Sequence, residues 1–317
     1  MSKAGFVNYI TRRVSGFSGR AQPWVLDDLQ EFPELLIDQY GGPAGAHIVV
    51  KNCTAELRYQ GQDEVRADIE RLHEALAADG AGASGFFPAT SPGCVAMAFP
   101  NMHYPDYETY LFALAGAMRE EYSAILDAGL TLQIDSPDVP MGAHTSAWDN
   151  TVQRLGFQGY LELHVAALNA AVDGLDQDRI RVHLCWGNYT GPHQMDAPLT
   201  DVLPAVLKAT PVGLSFEAAS PRHEHEWEDI PGLKIPDDKM SIPGVIDVKH
   251  NVLEHPRLVS QRLRRFTDQV GCDRVIGGTD CGFGTFVGFG AIHPSVAWHK
   301  LDSLAEGARL ASASRSS

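Results

Sequence analysis

LTLQID at residues 130–135 and RVHLCW at 181–186 read as strands, and the stretch between them, 149–173, carries apolar residues at helical spacing. The same beat continues down the chain. A helix near 199–208 leads to strand GLSFE at 213–217, strand GVIDVK follows at 244–249, a helix at 256–270 leads to strand RVIGG at 274–278, and a last helix covers about 293–312. Strands alternating with helices imply right-handed crossovers and a parallel sheet. Two architectures satisfy this pattern, an open doubly wound sheet and a (β/α)8 barrel. Asp135, His183, Cys185, Glu217, Asp247, Asp280 and Cys281 all fall at or just after the C-terminal end of a predicted strand. A barrel gathers such ends on one face, whereas an open sheet strings them out at roughly 4.8 Å per strand. The reading is therefore a (β/α)8 TIM-type barrel.

Upstream, residues 6–15 and 25–40 look helical, and AHIVVKNCTAELRY (46–59) looks extended. The spacing of Val65, Ile69, Leu72 and Leu76 predicts a helix, GFFPAT (85–90) a strand running into a Pro/Gly loop, and 106–128 a long helix. No repeat or low-complexity linker divides the 317 residues, so the expectation is one catalytic barrel domain over 1–317, with a helical segment at 1–45 and a frayed tail at 311–317.

Apolar residues make up 44% and charged residues 21%, the proportions of a soluble globular chain. A formal net charge of -15 argues against nucleic acid, which needs clustered Lys and Arg, and against an anionic membrane surface. No apolar run approaches the roughly 20 residues of a membrane helix, and the N-terminus lacks the apolar core of a secretory signal. Five cysteines, an odd number in a chain with no such signal, point to reduced thiols in the cytoplasm.

The chemistry concentrates in His183-Leu184-Cys185. Residues i and i+2 of a strand share a side, so H-x-C can offer two metal ligands together. Glu217 ends the next strand and Cys281 follows a later one. Nitrogen, two sulfurs and a carboxylate suit tetrahedral Zn²⁺. By itself H-x-C fits equally a buried cysteine beside a satisfied core histidine. No G-x-G-x-x-G follows a strand, so no dinucleotide site is read.

In this order, LQIDSPDVP, RVHLCWGN, GLSFEAA, GVIDVKHN and GGTDCGFGT resemble the C-terminal catalytic barrel of cobalamin-independent methionine synthase over roughly residues 80–310. The resemblance implies a zinc ion held by His183, Cys185, Glu217 and Cys281, methionine biosynthesis, and methyl transfer from a methyltetrahydrofolate-like donor to homocysteine or a similar thiol. Its partners would be that small thiol and the alkyl donor. Asp135 aligns with the Asp of the family's Q-I-D-E-P, beside the amino-acid substrate, but Ser136 replaces the following Glu and removes a charge. Asp280 would contact substrate or orient the site, and His193 in GPHQMD would protonate a leaving group unless it is an exposed loop residue. Asn188 and Tyr189 belong to the same group of top-face loops. Asp247 and His250 end a strand at that face, and Cys94 lies near a loop that faces the site. Cys53 and Cys272 read as core or incidental thiols. His223 and His225 in PRHEHEWED read as part of a lid or structural loop rather than a second metal site. The family's opening T-x-x-x-G-S-x-P strand and D-G-E stretch have no counterpart, which predicts a barrel lacking or modifying its first βα units. Epoxyalkane:coenzyme M transferase resembles the same barrel. That leaves thiol addition to an epoxide as an alternative, and an inactive zinc-binding homologue as another.

Overall fold

The computed structural model describes residues 7–21, 27–40, 51–79, 84–143, 151–284 and 292–313. Its centre is a parallel sheet of β3 (Phe86–Thr90), β4 (Thr131–Asp135), β5 (Ile180–His183), β6 (Gly213–Phe216) and β7 (Met240–Pro243), in sequence order. A small antiparallel pair, β1 (Phe17–Ser18) and β2 (Asn52–Cys53), lies apart from it. Helices Gln62–Asp79, Tyr107–Asp127, Thr151–Val172, Leu199–Val206, Pro256–Val270 and Pro294–Ala313 match the sequence expectation closely.

The alternation of each strand sorts its side chains. Leu132, Ile134, Val182 and Leu214 are buried in the large core with Tyr110, Leu114, Met118 and Ile125 of the helix Tyr107–Asp127. Burying one such side chain contributes about 1.5–3 kcal/mol, so this layer holds the sheet to its helices. The other set is polar. Arg181 Nε donates to Gln133 Oε1 at 2.8 Å, and Gln133 Nε2 donates to Asp135 Oδ1 at 2.8 Å. The register pairs Thr90 with Asp135, Asp135 with His183, and His183 with Ser215, so the C-terminal strand ends lie level.

Four expectations are corrected. The strand predicted at 244–249 is paired at Met240–Pro243 instead. Pro243 hides it from the sequence, because proline withholds a ladder donor, yet its carbonyl still accepts from Gly278 N at 3.0 Å. RVIGG forms no full strand but two parallel bridges, Val275 with Ser241 and Gly278 with Gly244. These extend the sheet beyond β7, so the five-stranded sheet follows barrel order without closure being shown. The helix expected over 25–40 is broken into Asp27–Gln30 and Pro33–Tyr40, at a proline that cannot continue a helix from its N-terminal side. The helix expected at 6–15 is only one turn, Ile10–Arg13, with residues 7–9 in a turn before it and Val14 already bridged to Tyr59. The beginning of the extended stretch, 46–50, lies outside the described residues, as does most of the tail. No helix among the described residues is long and apolar enough to cross a membrane.

Candidate metal centre

β5 ends at His183, and the chain stays extended long enough for Cys185 to reach the same side. Both are buried, His183 at 5% and Cys185 at 8% exposure. Cys281 arrives from the turn after Gly278, whose bridge to Gly244 places that turn beside the end of β7. His183 Nε2 lies 3.3 Å from Cys281 Sγ, and the Cys185 and Cys281 sulfurs are 3.3 Å apart. One ligand atom from each of the three falls within 4.8 Å of the others, which makes this the metal-capable group among the described residues. Sulfurs at about 2.3 Å from a tetrahedral zinc would stand about 3.8 Å apart, so small adjustments would admit the ion. The donor set also fits: His183 Nδ1 is 3.2 Å from Ser215 Oγ, which leaves Nε2 facing the sulfurs.

The cluster is electrostatically tuned before any ion enters. Cys185 is held well below an ordinary thiol pKa, first by a hydrogen bond from Cys281 and then, against burial, by His183. Cys281 is pushed correspondingly up by Cys185 and by burial, so the two sulfurs share one proton. Burial opposes protonation of His183, but Cys185 outweighs it and the ring sits above its usual value.

Glu217 follows β6 and is buried, yet its oxygens are turned elsewhere. Oε1 accepts from Trp186 N at 3.2 Å and Oε2 from Lys249 Nζ at 2.5 Å. Burial alone would lower Lys249, but Glu217 and then Asp280 raise it above its ordinary value. Asp280 Oδ1 accepts from the consecutive amides of Ala218 and Ala219, both at 2.9 Å, and so fixes the loop that carries Glu217. Burial, with Glu217 adding, pushes the Asp280 carboxyl up to about 8. Gly244 has to be glycine here, because a Cβ would lie 2.3 Å from Asp280 Oδ1.

The remaining sequence candidates separate. Asp135 shares the polar face with His183 and takes the Gln133 amide. His193 is not an exposed loop residue but 5% exposed, with Nδ1 on Asp196 at 2.8 Å and Nε2 on the Tyr189 carbonyl at 3.1 Å. Asp28 ties this loop down by accepting from Tyr189 Oη and from His193 N. Asn188 Nδ2 donates to Gly282 O at 2.7 Å, joining the loop after β5 to the loop that carries Cys281. His223 is buried between Asp196 and Glu226, whereas His225 is exposed. Asp247 pairs with His250 and caps the Lys249 amide. Cys94 is buried in the helix Pro92–Ala98, Cys53 in the core, and Cys272 is exposed.

Sequence reading missed Ser215 and Lys249. Lys249 sits inside the IDVKHN motif but carried no ligand chemistry to attract notice. Ser215 matters only through its register opposite His183.

Fold and site together define a class: a β/α chain of barrel-type strand order whose strand ends gather a His-Cys-Cys group, with His183 and Cys185 buried and Cys281 half-buried. Curated relatives agree with the resemblance read from the motifs. The chain is 28% identical over 240 residues to 2-hydroxypropyl-CoM lyase of Xanthobacter autotrophicus, covering 66% of this chain and 57% of that protein. It is 24% identical over 223 residues to methionine synthase of Saccharolobus islandicus, covering 70% of this chain and 56% of that one. The chain thus spans somewhat over half the length of the curated relatives it matches. A solved B12-independent methionine synthase from Shewanella sp. W3-18-1, in complex with selenomethionine, superposes with a TM-score of 0.68 at 19% identity, covering 96% of this chain and 78% of that one. No protein-family model matches the chain.

Proposed function

We propose that this chain is the catalytic barrel domain of a zinc-dependent enzyme that transfers an alkyl group to a small thiol, most nearly a methyltransferase of the methionine synthase type. The observation that carries the reading is the convergence of His183, Cys185 and Cys281 within 4.8 Å. A bound zinc ion would supply a Lewis acid that holds a thiol, with an ordinary pKa of about 8.5, as the nucleophilic thiolate near neutral pH. His183, Cys185 and Cys281 would hold the ion, and Glu217, whose oxygens rest on the Trp186 amide and Lys249, would be the fourth ligand and the one to give way to substrate. Asp135, on the face shared with His183, receives the polar end of the thiol. Asp280 shapes the Glu217 loop through two amides. His193 secures the loop over the site, since both of its ring nitrogens are engaged.

A second reading, addition of a thiol to an epoxide, is supported by the 28% identity to the lyase and by Ser136, which donates to Asp138 where an acidic residue would face an amino group. Zinc analysis of the purified protein, followed by thiol-consumption assays with methyltetrahydrofolate and with small epoxides, separates the two. About one zinc per chain is expected, with both zinc and turnover lost in Cys185→Ser. A fully folded protein that takes up no zinc would end both readings.

A further inference from the structure

Glu217 poses an electrostatic problem that the metal ligands do not solve. Its side chain is wholly buried. A carboxylate that leaves a cation in such a place becomes an unpaired buried charge, and that penalty opposes its departure. Lys249 lies where the penalty would be relieved. Its ammonium is 2.5 Å from Glu217 Oε2, its side chain is only 13% exposed, and its own amide is fixed by Asp247 Oδ1 at 2.6 Å. The Trp186 amide donates to the other oxygen. Glu217 therefore has a complete set of partners off the His183–Cys185–Cys281 group.

We propose that Lys249 is a positioning residue that receives Glu217 when a thiol displaces it, and so sets how readily the fourth ligand position opens to substrate. The inference rests on the zinc reading above. In the exchange one metal–oxygen bond breaks and one metal–sulfur bond forms. The thiol proton passes to water, and the carboxylate keeps its charge on the Lys249 ammonium. A neutral residue at 249 leaves Glu217 no place to go, so it stays on the metal and competes with the thiol.

Cobalt(II)-substituted protein titrated with 2-mercaptoethanol tests this by the growth of sulfur-to-cobalt charge-transfer absorption. A neutral thiol is used so that attraction of Lys249 to an anionic substrate plays no part. In Lys249→Met the expected thiol affinity is about 10–100-fold weaker, the range for losing an outer-shell partner, with cobalt retained as tightly or more so. Lys249→Arg restores most of the affinity. The double variant Lys249→Met/Glu217→Gln, which has no charge to strand, recovers it too and keeps the test alive should the single variant misfold. Wild-type thiol affinity in folded Lys249→Met, or a double variant no better than the single one, overturns the role of Lys249 while leaving the metal site intact. A wild-type protein that binds no cobalt instead removes the zinc reading, and this inference with it.

Discussion

Ser215 decides which nitrogen of His183 is offered to a metal. Its hydroxyl lies 3.2 Å from Nδ1, so the ring is turned with Nε2 toward Cys281. Outer-shell partners of this kind orient the ligand and raise its basicity. Ser215→Ala should weaken zinc binding about tenfold in a competition titration against a chromophoric chelator, with the thiol cluster otherwise intact. Unchanged affinity would mean that packing alone fixes the ring. The sequence made the His183–Cys185–Cys281 group legible because H-x-C is a local rule of strand geometry and D-C-G is a compact motif. Ser215 and Lys249 were not legible, because each acts through a pairing set by strand register or chain return, at separations of 32 residues in both cases.

Among the elements, the short helix Pro92–Ala98 is wholly buried and tied to its surroundings by a chain of side-chain hydrogen bonds. Ser91 caps it by accepting from Cys94 N at 2.9 Å and donates to Asp138 Oδ1 at 2.5 Å, while Asp138 Oδ2 meets His164 Nδ1 at 2.6 Å. Gly93 lies against this pair, and a Cβ there would fall 1.9 Å from Asp138 Oδ2 and 2.3 Å from His164 Nδ1. Gly93→Ala should therefore cost about 1–3 kcal/mol through overpacking, and more if the Asp138–His164 bond breaks. Gly116 is the opposite case: exposed, inside the helix Tyr107–Asp127, with nothing within 4 Å of the place a methyl would occupy. Gly116→Ala should stabilise by about 0.5–1 kcal/mol, because alanine loses less backbone freedom in a helix. Urea unfolding of the two variants should move the midpoint in opposite directions; a shift of the same sign in both would refute the packing argument. The long helices were readable from apolar periodicity, whereas β7 was displaced by four residues from its predicted start because Pro243 interrupts the apolar pattern.

At the scale of the molecule, His223 couples the loop after β5 to the turn before β7 and makes global stability depend on pH. Both ring nitrogens face carboxylates at 2.9 Å, Asp196 on one side and Glu226 on the other, and the ring packs 4.7 Å from Trp186. Asp196 also accepts from His193, and Glu226 accepts from Leu199 N, so the loop after β5, the start of the helix Leu199–Val206 and the turn 223–226 meet at this network. Burial opposes the charge, but Asp196 and Glu226 outweigh it and raise the His223 pKa from 6.5 to about 9. A folded-state pKa above the unfolded value means that the imidazolium stabilises the fold in full below pH about 6.5, and that this contribution fades as pH rises through about 9. A shift of that size corresponds to on the order of 3 kcal/mol. Asp280 pulls the same way in a lower window, from 3.8 to about 8, so the His223 share has to be isolated by substitution. Chelator-treated protein should lose urea midpoint between pH about 6.5 and about 9.5, while His223→Gln, less stable at the start of that window, should show a distinctly flatter profile across it. Parallel profiles for the two proteins would show that the imidazolium is not what holds these three segments together.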